Sequence, residues 1–307
     1  MTSAVVFAYH DVGVRCLGVL LAHGVDVRLV VTHRDNPDET IWFESVADLA
    51  RSRGIAVIAP SEPNAADVVA EVAALCPDFL FSFYYRQMLG RDLLVIPTRG
   101  SYNMHGSLLP RYRGRVPVNW AIIHGETETG VTLHAMTEKP DNGAIVVQKT
   151  VPIGANDTAR EVFDRVSVAA GAALDAALPA LIAGSAPHLP LDLSQGSYFG
   201  GRKPEDGRLD FSWSAARIHN FVRALTRPYP GAFADVKGKR VLVWRTRMAA
   251  SGATATRTPT LRMADNTIFL TCRDGASLEV LELEADGASV GPGAFAGVFG
   301  KSAIELA

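Results

Sequence analysis

Residues 101–141 read SYNMHGSLLPRYRGRVPVNWAIIHGETETGVTLHAMTEKPD. If Ser101 to His105 finish a strand, the period-two alternation of an extended chain points Asn103 and His105 to one face. A carboxamide and an imidazole then share one small volume. Gly106, Pro110, Gly114 and Pro117 fit poorly inside a regular element, so the pair faces a long irregular loop at the strand's C-terminal end. Open α/β sheets bind their ligands at that end.

The segments before this stretch agree with such a sheet. Val5 to Tyr9 is an apolar run, followed by a turn signal at Asp11 and Gly13 and by Cys16, Leu17, Leu20 and Leu21 at helical spacing up to Gly24. Val27 to Val31 predicts a second strand, HRDNPDET at 33–40 a polar loop, Val46 to Arg53 a helix closed by Gly54, and Ala56 to Ala59 a third strand stopped by Pro60. Asn64 caps a further helix through Cys76, and Phe79 to Phe83, apolar but for Ser82, is a fourth strand. Strands alternating with helices predict an α/β, doubly wound, mostly parallel sheet. HDVGVRCLG at 10–18 has Gly13 and Gly18 but no GxGxxG, so a bound dinucleotide is not expected and Gly13 reads as a turn residue.

Beyond the central stretch, Gly143 to Val151 reads as a strand. Thr158 and Glu161 form a capping box ahead of an Ala- and Val-rich helix that runs to about Ile182 through Pro179 and stops at Gly184. Ser185 to Pro190 reads as a linker. Ser214 caps a helix carrying Ile218, Phe221, Val222 and Leu225 on one face, and PYPG at 228–231 turns the chain. Val241 to Trp244, Thr267 to Cys272 and Leu278 to Leu283 are strand candidates, with Asp274-Gly275 a hairpin signal, while 249–256 reads as a small, polar, mobile loop.

A length of 307 residues suits two domains, and a net charge of −2 argues against binding driven by nucleic-acid phosphates. Cys16, Cys76 and Cys272 are scattered, which suggests neither a disulfide framework nor a zinc site. The N-terminus has no basic segment ahead of a long apolar run, and no uninterrupted apolar stretch of about 18 residues occurs, so a cytoplasmic protein with no membrane partner is expected. Oligomeric state is not indicated.

Taken singly, a His and an Asn have ordinary structural explanations; their combination with Asp141 changes that. Asp141 follows Lys139-Pro140 and precedes Asn142-Gly143, a tight turn that returns its carboxylate to the same sheet edge. A carboxylate beside His105 holds one tautomer and raises the imidazole's pKa. Amide, imidazole and carboxylate together suit acyl transfer to an amine: the amide donates to an oxyanion, the imidazole moves a proton, and the carboxylate supports the imidazolium. Ser107 is not expected to be a nucleophile, because HGSLLP lacks the GxSxG elbow; its hydroxyl is expected to bond nearby backbone. Arg111, Arg113 and Arg115 are either a solvated loop face or an attractor for anionic ligand groups. Tyr84, Tyr85 and Trp120 either stack on a ligand ring or fill the core, the commoner role.

Several segments carry a resemblance. Asn103-x-His105-x-Ser107-Leu108-Leu109-Pro110, Tyr112-Arg113-Gly114, Thr129-Gly130-Val131-Thr132 and Asp141-x-Gly143 resemble the folate-dependent formyltransferases, the superfamily of methionyl-tRNA formyltransferase. FAYHD at 7–11, THRDNP at 32–37, FSFYYR at 81–86, HGSLLPRYRGRVPVNW at 105–120, HGETETGVTLH at 124–134 and PYPGAF at 228–233 are most similar to one branch of it. That branch is the formyltransferase domain of the bifunctional polymyxin-resistance enzymes, which formylates UDP-4-amino-4-deoxy-L-arabinose in lipid A modification. The likeness covers most of the chain and thins after about residue 236.

The resemblance implies a Rossmann-like catalytic domain at 1–190 and a small OB-like β-barrel domain at 200–307. It implies 10-formyltetrahydrofolate as formyl donor, no metal, and small-molecule partners. By resemblance Asn103 is the transition-state stabiliser, His105 the proton-transfer residue and Asp141 the group that raises the imidazole's pKa. The folate is expected near Gln87, Met88 and Leu89, near Arg115, and near Thr137, Glu138, Lys139, Pro140 and Asp141, largely through main chain, since TEKPD at 137–141 departs from the more basic loop of the relatives. Competing readings are a methionyl-tRNA formyltransferase, a formyltransferase for a different amino-sugar nucleotide, and a non-catalytic binding protein on the same fold. Lacking GxGxxG, the chain is not expected to make its own substrate by NAD-dependent oxidation.

Overall fold

The computed structural model describes residues 1–37, 39–250 and 258–306; most of the loop expected at 249–256 lies outside the described residues. The chain divides into two compact units. The first comprises Met1–Pro117, Glu128–Pro152 and Phe163–Gly200, and the second Val118–Thr127, Ile153–Val162 and the chain from Gly201 on.

In the first unit strands and helices alternate: β1 Ser3–Ala8, α1 His10–Ala22, β2 Asp26–Val31, α2 Val46–Ser52, β3 Ala56–Ile58, α3 Ala66–Ala74, β4 Phe79–Phe83, the short α4 Arg91–Leu94 and β5 Ser101–His105. β6 Arg113–Gly114 is followed by α5 Pro117–Ile123, which belongs to the second unit from Val118 on, and then by β7 Glu128–Ala135 and β8 Ile145–Pro152 of the first. The sheet order is β3-β2-β1-β4-β5-β7-β8. Pairing is parallel as far as β5, and β7 and β8 add to it antiparallel. Every residue of β1 and β4 is buried, as a strand covered on both faces must be, whereas the edge strand β8 exposes Gln148, Lys149 and Thr150.

Two local readings are corrected. Gly13 lies inside α1 rather than in a turn, and a Cβ there would meet Val46 Cγ2 at 2.8 Å and Ala8 Cβ at 3.1 Å, so its role is close packing of α1 against β1 and α2. Asn64 does not cap α3, whose N-cap is Ala65 and which stops at Ala74. Its amide instead donates to the Met88 carbonyl (2.9 Å) and accepts from the Gly90 N–H (2.6 Å).

The expected capping box is present, with the Thr158 N–H donating to Glu161 Oε2 (2.8 Å) and the Glu161 N–H to Thr158 Oγ1 (3.3 Å). It opens α6 Ala159–Ala183, which continues past Pro179. By length and composition α6 is apolar enough to cross a membrane, yet Val162, Val166, Ala170, Ala173, Leu174, Leu178 and Leu181 are buried at the spacing of a core helix. The linker read at 185–190 contributes a bridge from Leu189 to Ile145, and β9 Tyr198–Phe199 pairs with β6.

In the second unit Ser214 caps α7 Ala215–Leu225 through the Arg217 N–H (3.3 Å), and Ile218, Phe221, Val222 and Leu225 are all buried. The strands are β10 Ala232–Val236, β11 Lys239–Met248, β12 Thr260–Ala264, β13 Thr267–Thr271, β14 Ser277–Ala285, the short β15 Ala288–Ser289 and, after α8 Pro292–Phe299, β16 Ala303–Glu305. They form an antiparallel sheet of order β10-β11-β14-β13-β12-β16, a curled half-barrel. The Asp274-Gly275 turn joins β13 to β14 as expected, with Gly275 at φ 83°.

Candidate active site

The β5–β7 ladder sets the site. Antiparallel pairing places Asn103 opposite His134 and His105 opposite Thr132, so these four side chains belong to one face of the sheet. Asp141 enters from the turn after β7 at φ 49°, a left-handed conformation that Asp tolerates better than most residues. The return is tight because Gly143 abuts the Ala135 carbonyl so closely that no Cβ fits.

The expected trio comes together. His105 Nδ1 lies 3.4 Å from Asp141 Oδ1, and His105 Nε2 donates to the Tyr112 carbonyl at 2.8 Å. The other carboxylate oxygen of Asp141 accepts from the Gly114 N–H at 2.8 Å. Asn103 Nδ2 lies 3.1 Å from Nε2 of His134, and that nitrogen is 3.5 Å from Asp141 Oδ1. His134 is therefore a fourth member of the cluster. Its signal, the alternation in GVTLH at 130–134, becomes readable only once the antiparallel register against β5 is known.

Burial governs the electrostatics. His105 is 6 % exposed, and desolvation pulls its pKa below the ordinary value although Asp141 and the Tyr112 carbonyl push upward. Asp141 thus raises the imidazole's pKa in the expected direction, and burial, the larger cause, outweighs it. For Asp141 burial pushes the carboxyl up, and His105, His134 and the Gly114 N–H outweigh it, holding the pKa down at about 2. Asp141 is an anion at neutral pH.

The loop over this cluster is fastened on several sides. Ser107 Oγ donates to the Arg111 carbonyl (2.6 Å), as expected for a loop-holding hydroxyl, and Thr132 Oγ1 donates to the Ser107 carbonyl (2.7 Å). Gln148 Nε2 donates to the Leu109 carbonyl (2.8 Å). The Tyr112 N–H donates to Ser197 Oγ (2.9 Å), and its ring stacks on Phe199 with centroids 5.5 Å apart. Gly114, at φ 96°, lies so close to the Phe199 carbonyl that a Cβ would collide with it.

The two segments expected to hold folate lie beside each other. Leu89 is buried in the core with Phe7, Leu80 and Leu93, and Met136, just ahead of the 137–141 loop, packs against that same cluster. Arg91 reaches Glu138 at 3.8 Å. Gln87 donates to the Ser61 carbonyl (2.8 Å), Met88 is exposed, and Thr137 Oγ1 donates to the Lys139 carbonyl (2.9 Å). Lys139 is exposed and Pro140 partly buried. Arg115 is exposed too, and its N–H donates to the Phe199 carbonyl at 2.9 Å. Arg113 Nε and Asn142 Oδ1, each next in sequence to a partner in the Gly114–Asp141 contact, are buried without a protein hydrogen-bond partner. Tyr85 stacks on His33 at 4.1 Å and meets Phe7 edge-on, and Trp120 in the second unit stacks on His124 at 5.7 Å, so both rings pack against protein.

Residues 20–178 match the family model "Formyl transferase", and residues 202–296 match "Formyl transferase, C-terminal domain". Among solved structures, the N-formyltransferase of Helicobacter canadensis, in complex with folinic acid and dTDP-3-aminofucose, superposes with a TM-score of 0.73 at 20 % identity, covering 91 % of this chain and 99 % of that one. WlaRD, a sugar 3N-formyl transferase in the presence of dTDP and 5-N-formyl-THF, gives 0.70 at 19 % identity over 91 % and 97 %. A sugar N-formyltransferase from Shewanella sp. FDAARGOS_354 gives 0.64 at 22 % identity over 83 % and 99 %. With just over half of its 307 residues inside the first family model and the C-terminal domain following in order, the chain belongs to the formyl transferase family.

Proposed function

We propose that this enzyme transfers the formyl group of 10-formyltetrahydrofolate to the amine of a nucleotide-linked amino sugar, with UDP-4-amino-4-deoxy-L-arabinose, the lipid A precursor sugar, as first candidate. The observation that carries the reading is the buried cluster in which Asn103, His105 and Asp141 meet at the C-terminal end of β5. The acceptor nitrogen attacks the formyl carbon and forms a tetrahedral oxyanion, to which Asn103 Nδ2 donates. The C–N10 bond then breaks, the amine's proton leaves, N10 takes one up, and the products are the N-formyl sugar and tetrahydrofolate. His105 serves these proton movements through Nε2, which exchanges the Tyr112 carbonyl for the substrate, while Asp141 supports the ring from Nδ1. The formyl donor is already an activated acyl group, and no metal is assigned a role.

The folate is assigned to Gln87, Met88 and Leu89, to Arg115, and to Thr137 through Asp141, mostly by main chain, because the side chains of Gln87 and Thr137 bond their own surroundings. Support for an amino-sugar acceptor over tRNA comes from the flanking segments such as HGETETGVTLH at 124–134 and from a net charge of −2. A thymidine-diphosphate amino sugar is the second reading, favoured by the ligands named for the Helicobacter canadensis enzyme and WlaRD. The test supplies 10-formyltetrahydrofolate with a panel of UDP- and dTDP-linked amino sugars and initiator Met-tRNA and follows tetrahydrofolate release. Turnover with an amino sugar and none with Met-tRNA is expected; the reverse overturns the reading.

A further inference from the structure

His134 has no part in the roles above, yet it is 2 % exposed and stands opposite Asn103 in the ladder. Its two ring nitrogens have unlike neighbours. Nδ1 lies 2.8 Å from the Ala135 carbonyl oxygen, which can only accept, so Nδ1 carries a proton. Nε2 lies 3.1 Å from Nδ2 of Asn103, an NH₂ group that can only donate, so Nε2 meets it with a lone pair. A neutral ring protonated on Nδ1 satisfies both contacts at once.

We infer that His134 is a positioning residue that decides which end of the Asn103 carboxamide faces β7 and which is left for the reacting group. This rests on the proposed role of Asn103 as oxyanion donor. A half-turn of a side-chain amide exchanges its oxygen and nitrogen at almost no steric cost, so packing alone does not choose between the two poses. The lone pair on Nε2 does choose. It takes one N–H of Asn103 and thereby fixes the nitrogen, and the second N–H of the same planar group then points in one set direction as a donor. The flipped amide would face Nε2 with its own oxygen, two acceptors in contact, and would lose that donor. Asp141 Oδ1, 3.5 Å from the same Nε2, pulls the other way, since a proton on that nitrogen would help hold the carboxyl's pKa down; the Asn103 contact is the shorter, at 3.1 Å, and the carboxylate already has the Gly114 N–H at 2.8 Å and His105 at 3.4 Å.

The ring's state can be read without any turnover. Nitrogen-15 NMR of the wild-type protein should show His134 protonated at Nδ1 and bare at Nε2; a ring protonated at Nε2 instead overturns the inference. Kinetics supply the second arm. His134→Leu removes the acceptor and should lower kcat roughly 10- to 100-fold with KM for both substrates nearly unchanged, whereas His134→Gln, which carries an acceptor oxygen, should recover most of that loss. In the Asn103→Ala background the same His134→Leu change should cost less than about threefold, because the residue it positions is gone. A full, additive loss in that background shows that His134 acts without Asn103 and overturns the inference. If His134→Leu does not fold, His134→Gln with and without Asn103→Ala makes the same comparison. Failure of the wild-type enzyme to formylate any amine sinks the proposed function, and the ring's tautomer is measured independently of it.

Discussion

The cluster on β5 and β7 and the pair of loops at 86–91 and 136–141 are neighbours in the first unit, built by opposite means. In the cluster, side chains do the bonding: Asn103, His105, His134 and Asp141 are interlinked at 2.8 to 3.5 Å with one another and with the Gly114 and Tyr112 backbone. In the loops, side chains serve the chain itself: Asn64 holds Met88 and Gly90, Gln87 bonds Ser61, and Thr137 bonds Lys139. On the proposed function, chemistry at the first region would therefore depend on residue identity, and ligand binding at the second on backbone shape.

The largest effects are expected in the cluster. Asn103→Ala should lower turnover roughly 10²- to 10³-fold and His105→Ala roughly 10²- to 10⁴-fold, with the circular dichroism spectrum and melting temperature near wild type. Losses smaller than tenfold would make the cluster structural and erase the contrast with the loops.

The loops should respond through binding. Asn64→Ala removes two hydrogen bonds that shape residues 88–90 and should raise KM for the formyl donor roughly three- to tenfold with little change in kcat. A fall in kcat instead would place the loop in the chemistry. His33 sharpens the point from another side, since its Nε2 accepts the Arg86 N–H at 3.0 Å and so needs the neutral ring. Burial, with help from Arg86, lowers its pKa to about 4 from 6.5. The unfolded chain takes up this proton first, so the stabilising effect of the neutral ring is full above about pH 6.5 and declines as pH falls toward 4. Urea melts at pH 4.5 and 7.5 should differ less in His33→Gln than in wild type; an unchanged difference would show that His33 is not the titrating group.

The smallest effect is expected at Glu138. Its contact with Arg91 is 3.8 Å long and both side chains are exposed, so Glu138→Gln should change KM for the formyl donor by less than about twofold. A tenfold rise would mean that this carboxylate touches the ligand, and the loop would then bind through a side chain after all.

What could be read from the chain follows from the range of the forces involved. Asn103 and His105 were legible because period-two alternation is local, and so were the Thr158–Glu161 box and the Ser214 cap. Gly13 was misread because the atom it must accommodate belongs to Val46, and Asn64 because its partners lie 24 and 26 residues on. His134 was missed for the same reason: only the β5–β7 register makes it a neighbour of Asn103. In the second unit the apolar runs within β11, β13 and β14 stood out, whereas β16 depends on pairing with the distant β12. The net charge preference of His105 was not legible, because desolvation, its largest cause, exists only in the fold.

The most direct test of the central claim, that the Asp141 carboxylate sustains proton transfer at His105, is the pH dependence of kcat/KM in wild type and Asp141→Asn. The substitution keeps the shape and removes the charge. Asp141 raises the imidazole's pKa against burial, so without it that pKa falls further and the limb belonging to His105 should move to lower pH as activity drops. Near-normal activity with an unmoved profile would contradict the account, reducing Asp141 to a turn residue that bonds the Gly114 N–H.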